Sequence, residues 1–215
     1  MIIVGLTGSI GMGKTTAAQA FRKFGVPVYD ADAEVHKLMM PGGKAVAAVA
    51  KIFPGARATD PSGRDFIDRS ALAGLVFGDD AALKRLEGIL HPLAGQAKAR
   101  FLAAAARRRD AMVVLDIPLL LETGGDNTCD VVVVVTAPPF VQAQRVLKRP
   151  GMTMERFRQI LDRQLPDLEK RQRADFIVQT GLGRAYSLRA IARIVKIVRC
   201  AASSTRFTGA KPGNA

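Results

Sequence analysis

Tryptophan is absent from this 215-residue sequence, cysteine and histidine occur twice each, and aromatics make up only 6%. Each shortage excludes a class of chemistry. With so few aromatics, and no aromatic-basic interleaving of the RNA-binding kind, the stacking platforms of RNA-binding modules are missing. Neither histidine stands in a cluster with Cys129 or Cys200, so a zinc site is not expected. Any metal should be a hard ion on oxygen ligands. The cysteines lack ligand-type spacing and read as reduced thiols in a reducing compartment. No apolar run reaches the roughly 18 residues that a membrane span requires. The opening Met1-Ile2-Ile3-Val4-Gly5 has neither the basic flank nor the cleavage site of a secretion signal, and a cytoplasmic location is expected.

What the chain has in excess is positive charge: 32 Lys and Arg against 19 Asp and Glu, a net +13. Nucleic acid, a membrane surface or a small polyanionic ligand could each answer such a field. The basic residues gather around possible phosphate sites, so the small polyanion is the reading taken. Nucleic acid and membrane are not expected as partners, and a monomer is. At 48% hydrophobic, the chain can bury one good core with an excursion.

Strand-like and helix-like stretches alternate. Met1–Leu6 reads as a buried strand, 15–24 as a helix stopped by Gly25, and 26–30 as a second strand. The chain from Asp32 to about Ala106 reads as mostly helical, broken by a surface stretch at 54–63 and by Pro92. Further strands are expected at 112–116, at 130–136 with its five consecutive valines, and at 176–179. A helix begins at Val141, the charged run 145–173 is helical on both sides of Pro150-Gly151, and 188–198 is the last helix. The pattern predicts an α/β fold with a doubly wound parallel sheet. Its core is about 1–34, 110–144 and 174–200, with a helical subdomain at about 35–109 and a lid at about 145–173. Residues 201–215 read as a disordered tail.

The strongest motif is Gly8-Ser9-Ile10-Gly11-Met12-Gly13-Lys14-Thr15, a full G-x-x-x-x-G-K-[ST] between a strand and a helix. Gly8, Gly11 and Gly13 let the backbone turn so that several N–H groups, Met12's included, face one anion. The helix that follows adds its own N–H groups, through Thr15 and Thr16, and its positive dipole end. Lys14 can reach the β- and γ-phosphates of ATP, and the Thr15 hydroxyl suits Mg²⁺.

Three acids qualify for the chemistry. Asp30 and Asp32 follow the second strand, where ligands bind in open α/β folds. Asp30 reads as the cap of a helix starting near Ala33, and Asp32 as the group that orients an attacking hydroxyl. Asp116 ends a strand beside the phosphate loop, where a carboxylate can hold Mg²⁺ through water. His91 by itself reads as a partly buried histidine with a satisfied hydrogen bond. Arg145 and Arg149, one helical turn apart, lead an arginine-rich lid with Arg156, Arg158 and Arg163. A GTPase is excluded, since Asn127-Thr128-Cys129-Asp130 lacks the lysine of the guanine-reading element and precedes its strand. A kinase for another small alcohol or nucleotide, and a nucleotide-dependent switch that binds nucleic acid or a partner, remain as rivals.

Taken together, these residues resemble the dephospho-CoA kinase family. The resemblance is carried by the phosphate loop, by Asp30-Ala31-Asp32, by Asp68-Arg69, by Leu90-His91-Pro92, by Pro118-Leu119-Leu120-Leu121-Glu122, and by Gln144-Arg145 with Arg149 and Gln164. It covers about residues 1–180. Leu121 replaces the usual phenylalanine, and Thr180 stands where the family commonly has asparagine. The resemblance implies transfer of phosphate from MgATP to the ribose 3′-hydroxyl of dephospho-CoA, the last step of coenzyme A synthesis. It implies that Asp32 is the base, that His91 and Arg69 bind the acceptor, and that Arg145 and Arg149 contact the nucleotide.

Overall fold

The computed structural model describes residues 1–203. Two compact units form, one from Met1–Tyr29 with the chain from Ala105 onward, the other from Asp30–Ala104.

In the first unit, β1 (Ile2–Thr7) is the central strand because its side chains are apolar on both faces. It pairs in parallel with β5 (Met112–Asp116) and β6 (Val131–Thr136), and β6 pairs with β7 (Phe176–Gln179). With β2 (Val28–Asp30) beside β5, the order is β2-β5-β1-β6-β7. This is the expected α/β sheet, with the phosphate-loop strand in its middle. One face, made by Ile2, Val4, Leu6, Val114, Val133 and Val135, packs on α1 (Lys14–Lys23) and α9 (Arg184–Ser203). On the other face the segment after β5 lies so close that a Cβ on Gly5 would sit 2.5 Å from Leu120.

Three further helices complete the unit: α6 (Pro139–Leu147), α7 (Met154–Asp162) and α8 (Asp167–Gln172). The charged run is therefore three separate pieces. Helix α6 ends before Arg149, whose N–H bonds back to Val146 O, so Arg145 and Arg149 do not share a helix as expected. The Pro150-Gly151 pair ahead makes continuation unfavourable. Helix α8 is fastened to the sheet: Thr136 Oγ1 donates to Asp167 Oδ2 at 2.8 Å, and Lys170, with no exposed surface, pairs with Glu122 at 2.6 Å. The last helix runs through Ala201–Ser203, residues expected in the tail; 204–215 lie outside the described residues.

The second unit has its own core of Leu38, Val46, Val49, Phe53, Leu72 and Leu86, among others. It is built from α2 (Ala31–Met39), α3 (Val46–Ile52), α4 (Arg69–Val76) and the part of α5 (Asp80–Arg107) up to Ala104. Two expectations need correction. The surface stretch and the residues after it, expected to be helical, form an antiparallel hairpin of β3 (Arg57–Thr59) and β4 (Asp65–Ile67), whose three-residue strands are too short to show a period. Pro92 does not break the helix: α5 runs through it. A proline ring crowds the carbonyl four residues back. That residue is Gly88, whose backbone is easily adjusted.

Candidate active site

At the end of β1 the chain enters Gly8–Gly13 and leaves it as α1. Gly11 and Gly13 have φ of 76° and 92°, a region that glycine alone enters cheaply. Space reinforces the choice: a Cβ on Gly11 would lie 2.5 Å from Val146 Cγ2, and one on Gly13 3.0 Å from Thr180 Oγ1. Lys14, the first residue of α1, reaches across to Asp116, with Nζ 2.5 Å from Oδ1. The register explains the meeting, since Asp116 stands opposite Leu6 on the neighbouring strand. Asp116 is buried, while Thr15 and Thr16 face solvent at the start of the helix.

The loop is held by side chains from three other segments. Gln142 Nε2, on α6, donates to Ile10 O at 2.8 Å, and Gln164 Oε1 accepts from Ile10 N–H at 3.1 Å. Arg145 Nη1 donates to Thr180 Oγ1 at 2.9 Å and to Gly11 O at 3.4 Å, and its Nη2 donates to Thr180 O at 2.9 Å. Thr180 Oγ1 in turn donates to Met12 O at 2.6 Å. Met12 turns its side chain inward, where Sδ accepts from Ala137 N–H at 3.0 Å, and its own N–H bonds Ser9 O at 3.1 Å. Arg149 is exposed.

Sequence reasoning noted Thr180 only as a departure, gave Gln164 no role, and passed over Gln142. A glutamine on an amphipathic helix looks like a solvent-facing residue, and nothing in its spacing separates Gln142, 6% exposed, from the others.

In the second unit, Asp30 caps α2, Oδ1 accepting from Ala33 N–H at 2.9 Å; the cap was expected, but the helix starts at Ala31. Asp32 lies in the first turn of α2 and is exposed. His36, one turn further along the same face, has Nδ1 3.4 Å from Arg69 Nη1. Arg69 opens α4 behind the cap of Asp68, whose carboxylate accepts from Ser70 and Ala71 N–H. His91 is exposed on α5, contrary to the partly buried histidine expected from its leucine neighbours. Leu86 and Leu90 take the inner face of that helix, one turn apart, and the next residue is carried outward.

Comparison with known proteins shows the family of the chain. Residues 2–183 match the family described as dephospho-CoA kinase. A dephospho-CoA kinase of Paramagnetospirillum magneticum is 59% identical over 80% of this chain and 78% of that protein. One from Rhodospirillum rubrum is 52% identical over 88% of each. Among solved structures, TT1252 from Thermus thermophilus superimposes with a TM-score of 0.75 at 34% identity, covering 91% of this chain and 96% of that one. The dephospho-CoA kinase of Campylobacter jejuni shares the fold, with a TM-score of 0.68 at 24% identity over 92% of this chain and 97% of its own. This chain belongs to the dephospho-CoA kinase family.

Proposed function

We infer that the chain transfers the γ-phosphoryl group of ATP to the ribose 3′-hydroxyl of dephospho-CoA, giving ADP and CoA. The observation that carries the reading is the phosphate loop with Lys14 drawn to its strand-end carboxylate, in a chain matched to the family over residues 2–183. Phosphoryl transfer passes through a loose transition state, so the protein's task is to position the reactants and neutralise charge. Loop amides and the Lys14 ammonium grip the β- and γ-phosphates. Asp32, exposed and therefore open to a substrate, accepts the proton of the 3′-hydroxyl and holds that oxygen in line. Arg69 and His91 contact the acceptor, Arg145 and Arg149 the nucleotide, and α7 with Arg156 and Arg158 acts as the lid.

The residues present fit Mg²⁺. The Thr15 hydroxyl and the Asp116 carboxylate are hard oxygen donors at the loop, and no group of three or more His, Cys, Asp or Glu among the described residues forms a self-sufficient site. Thr15 and Asp116 would hold such an ion, which would supply charge neutralisation during phosphoryl transfer. The net charge of +13 draws both anionic substrates toward the protein. The reading takes the chain to act as a cytoplasmic monomer on two small molecules.

An acceptor screen tests it. Purified protein with MgATP is offered dephospho-CoA, shikimate, gluconate and nucleoside monophosphates, and products are identified by mass. A gain of one phosphate on dephospho-CoA alone is the expected result; turnover of another acceptor in its place overturns the assignment.

A further inference from the structure

The backbone carbonyls of three consecutive loop residues, Ile10, Gly11 and Met12, are each held by a side-chain donor: Gln142, Arg145 and Thr180. Gln142 and Thr180 are the buried members, at 6% and 7% exposure. Their hydrogens are assigned by the chemistry of their partners. A carbonyl can only accept, so the Gln142 amide nitrogen must face Ile10 O. The Thr180 hydroxyl has one proton and two carbonyls in reach; it goes to Met12 O at 2.6 Å rather than to Thr136 O at 3.3 Å, while a lone pair takes the Arg145 N–H.

A trans peptide is planar, with its C=O and the next residue's N–H pointing in opposite directions, and no cis peptide interrupts this chain among the described residues. A donor that draws Ile10 O outward therefore turns the Gly11 N–H the other way. Drawing Met12 O outward does the same for the Gly13 N–H. Met12's own N–H is used within the loop by Ser9 O. Among the described residues no hydrogen bond takes the two glycine amides, which are left to meet an anion, and glycine is the residue whose peptide planes would otherwise be most free to rotate.

We propose that Gln142 and Thr180 are positioning residues for phosphoryl transfer: through the Ile10–Gly11 and Met12–Gly13 peptide planes they aim the Gly11 and Gly13 N–H groups at the triphosphate. The Gln164 carbonyl oxygen on Ile10 N–H holds the first plane's neighbour from the other side. This inference deepens the reading of the loop as an ATP cradle and rests on it. It gives Thr180, the residue that departs from the family's common asparagine, a role toward the phosphates.

Calorimetry with magnesium tripolyphosphate, which has no nucleoside, separates this role from a contact to adenine or ribose. Thr180→Val keeps the shape and removes the hydroxyl; Thr180→Ser keeps the hydroxyl; Gln142→Met keeps the length and removes the amide. Losing one buried hydrogen bond of this kind is expected to weaken tripolyphosphate and ATP alike by about tenfold in T180V and Q142M, and by less than about twofold in T180S. In steady state, KM for ATP rises by the same factor while KM for the acceptor stays put. Melting temperature is followed for every variant, and if T180V does not fold, Q142M carries the comparison. The proposal is overturned if T180V and Q142M bind tripolyphosphate like the wild type, even should ATP binding fall. It is also overturned if T180S loses as much as T180V, or if the folded wild type binds no tripolyphosphate. Failure of the kinase reading would look different, because the wild type would then leave dephospho-CoA unphosphorylated whatever the variants do.

Discussion

Around the phosphate loop Lys14 and the carbonyls of Ile10, Gly11 and Met12 have protein partners, whereas the residues assigned to the acceptor stand in solvent. Lys14 is paired with Asp116, the loop carbonyls are capped by α6 and by Thr180, and the glycines are fixed by contacts that leave no room for a Cβ. Asp32, Arg69 and His91 are all exposed. Under the proposed roles, the contrast follows from what each set would recognise. A phosphate chain is gripped by backbone dipoles, which act strongly only if aimed before the anion arrives. A hydroxyl and its acceptor skeleton are met by side chains on helices, which can wait for the substrate to order them.

The largest effect should come from breaking the built half. Lys14→Ala is expected to lower kcat/KM at least about 10³-fold, roughly 4 kcal/mol of transition-state stabilisation. It should also lower the melting temperature, because Asp116, 3% exposed, loses its ammonium partner. CoA formation and a thermal melt together check this; activity within tenfold of wild type would remove the loop from the chemistry. The waiting half should respond differently. Asp32→Asn is expected to reduce kcat by about 10²- to 10⁴-fold while calorimetry shows ATP binding little changed. Its stability cost should be confined to the helix-terminus charge effect, roughly 0.3–1 kcal/mol. Normal turnover by the Asn variant would strip Asp32 of its role.

The same contrast explains what could be read from the sequence. Strands β5 and β7 and the phosphate loop were legible to the residue, because runs of apolar side chains and a glycine-lysine spacing are local properties of the chain. The Lys14–Asp116 pair was half legible: both residues stood out, but their meeting depends on the parallel register of β1 and β5. Gln142 and Thr180 were not legible, since their partners lie 132 and 168 residues away in the chain. In the second unit, local rules misled at Pro92 and His91. The proline rule does not see Gly88 one turn back, and leucine neighbours do not tell which side of a helix a histidine takes.

A third substitution tests a fastening that neither comparison with ATP nor one with acceptor would reveal. Lys170 Nζ lies 2.6 Å from Glu122 Oε1, and that oxygen also accepts from Leu165 N–H at 3.0 Å, next to Gln164. Among the described residues the ammonium meets a carboxylate at salt-bridge distance but outside hydrogen-bond geometry, so the pair is held by charge. Lys170→Met should destabilise the protein in urea by roughly 3 kcal/mol, since it strands a carboxylate that is mostly buried. Adding Glu122→Leu should recover much of the loss. A double variant no better than the single one would show that Glu122 is needed for the Leu165 N–H rather than for the lysine.

The smallest effect belongs to the β3–β4 hairpin, whose paired arginines, Arg57 and Arg64, are exposed. Asp65 is held below its ordinary value of 3.8 chiefly by the hydrogen bond from Arg57, and Asp60 below its own by the Arg64 backbone N–H. A carboxylate with a depressed folded value stabilises fully above its unfolded value and loses that contribution as pH falls through the folded one. Both aspartates should therefore titrate below 3.8 when followed by carboxyl carbon NMR, with the hairpin contacts intact at neutral pH and lost only in stronger acid. Arg57→Ala should return Asp65 toward 3.8 and leave Asp60 where it was. Because water screens the Arg57–Asp65 pair, this substitution should move neither the neutral-pH melting temperature nor the affinity for ATP. A clear drop in either would mean that the hairpin supports the built half of the molecule, and the division between the two halves would have to be redrawn.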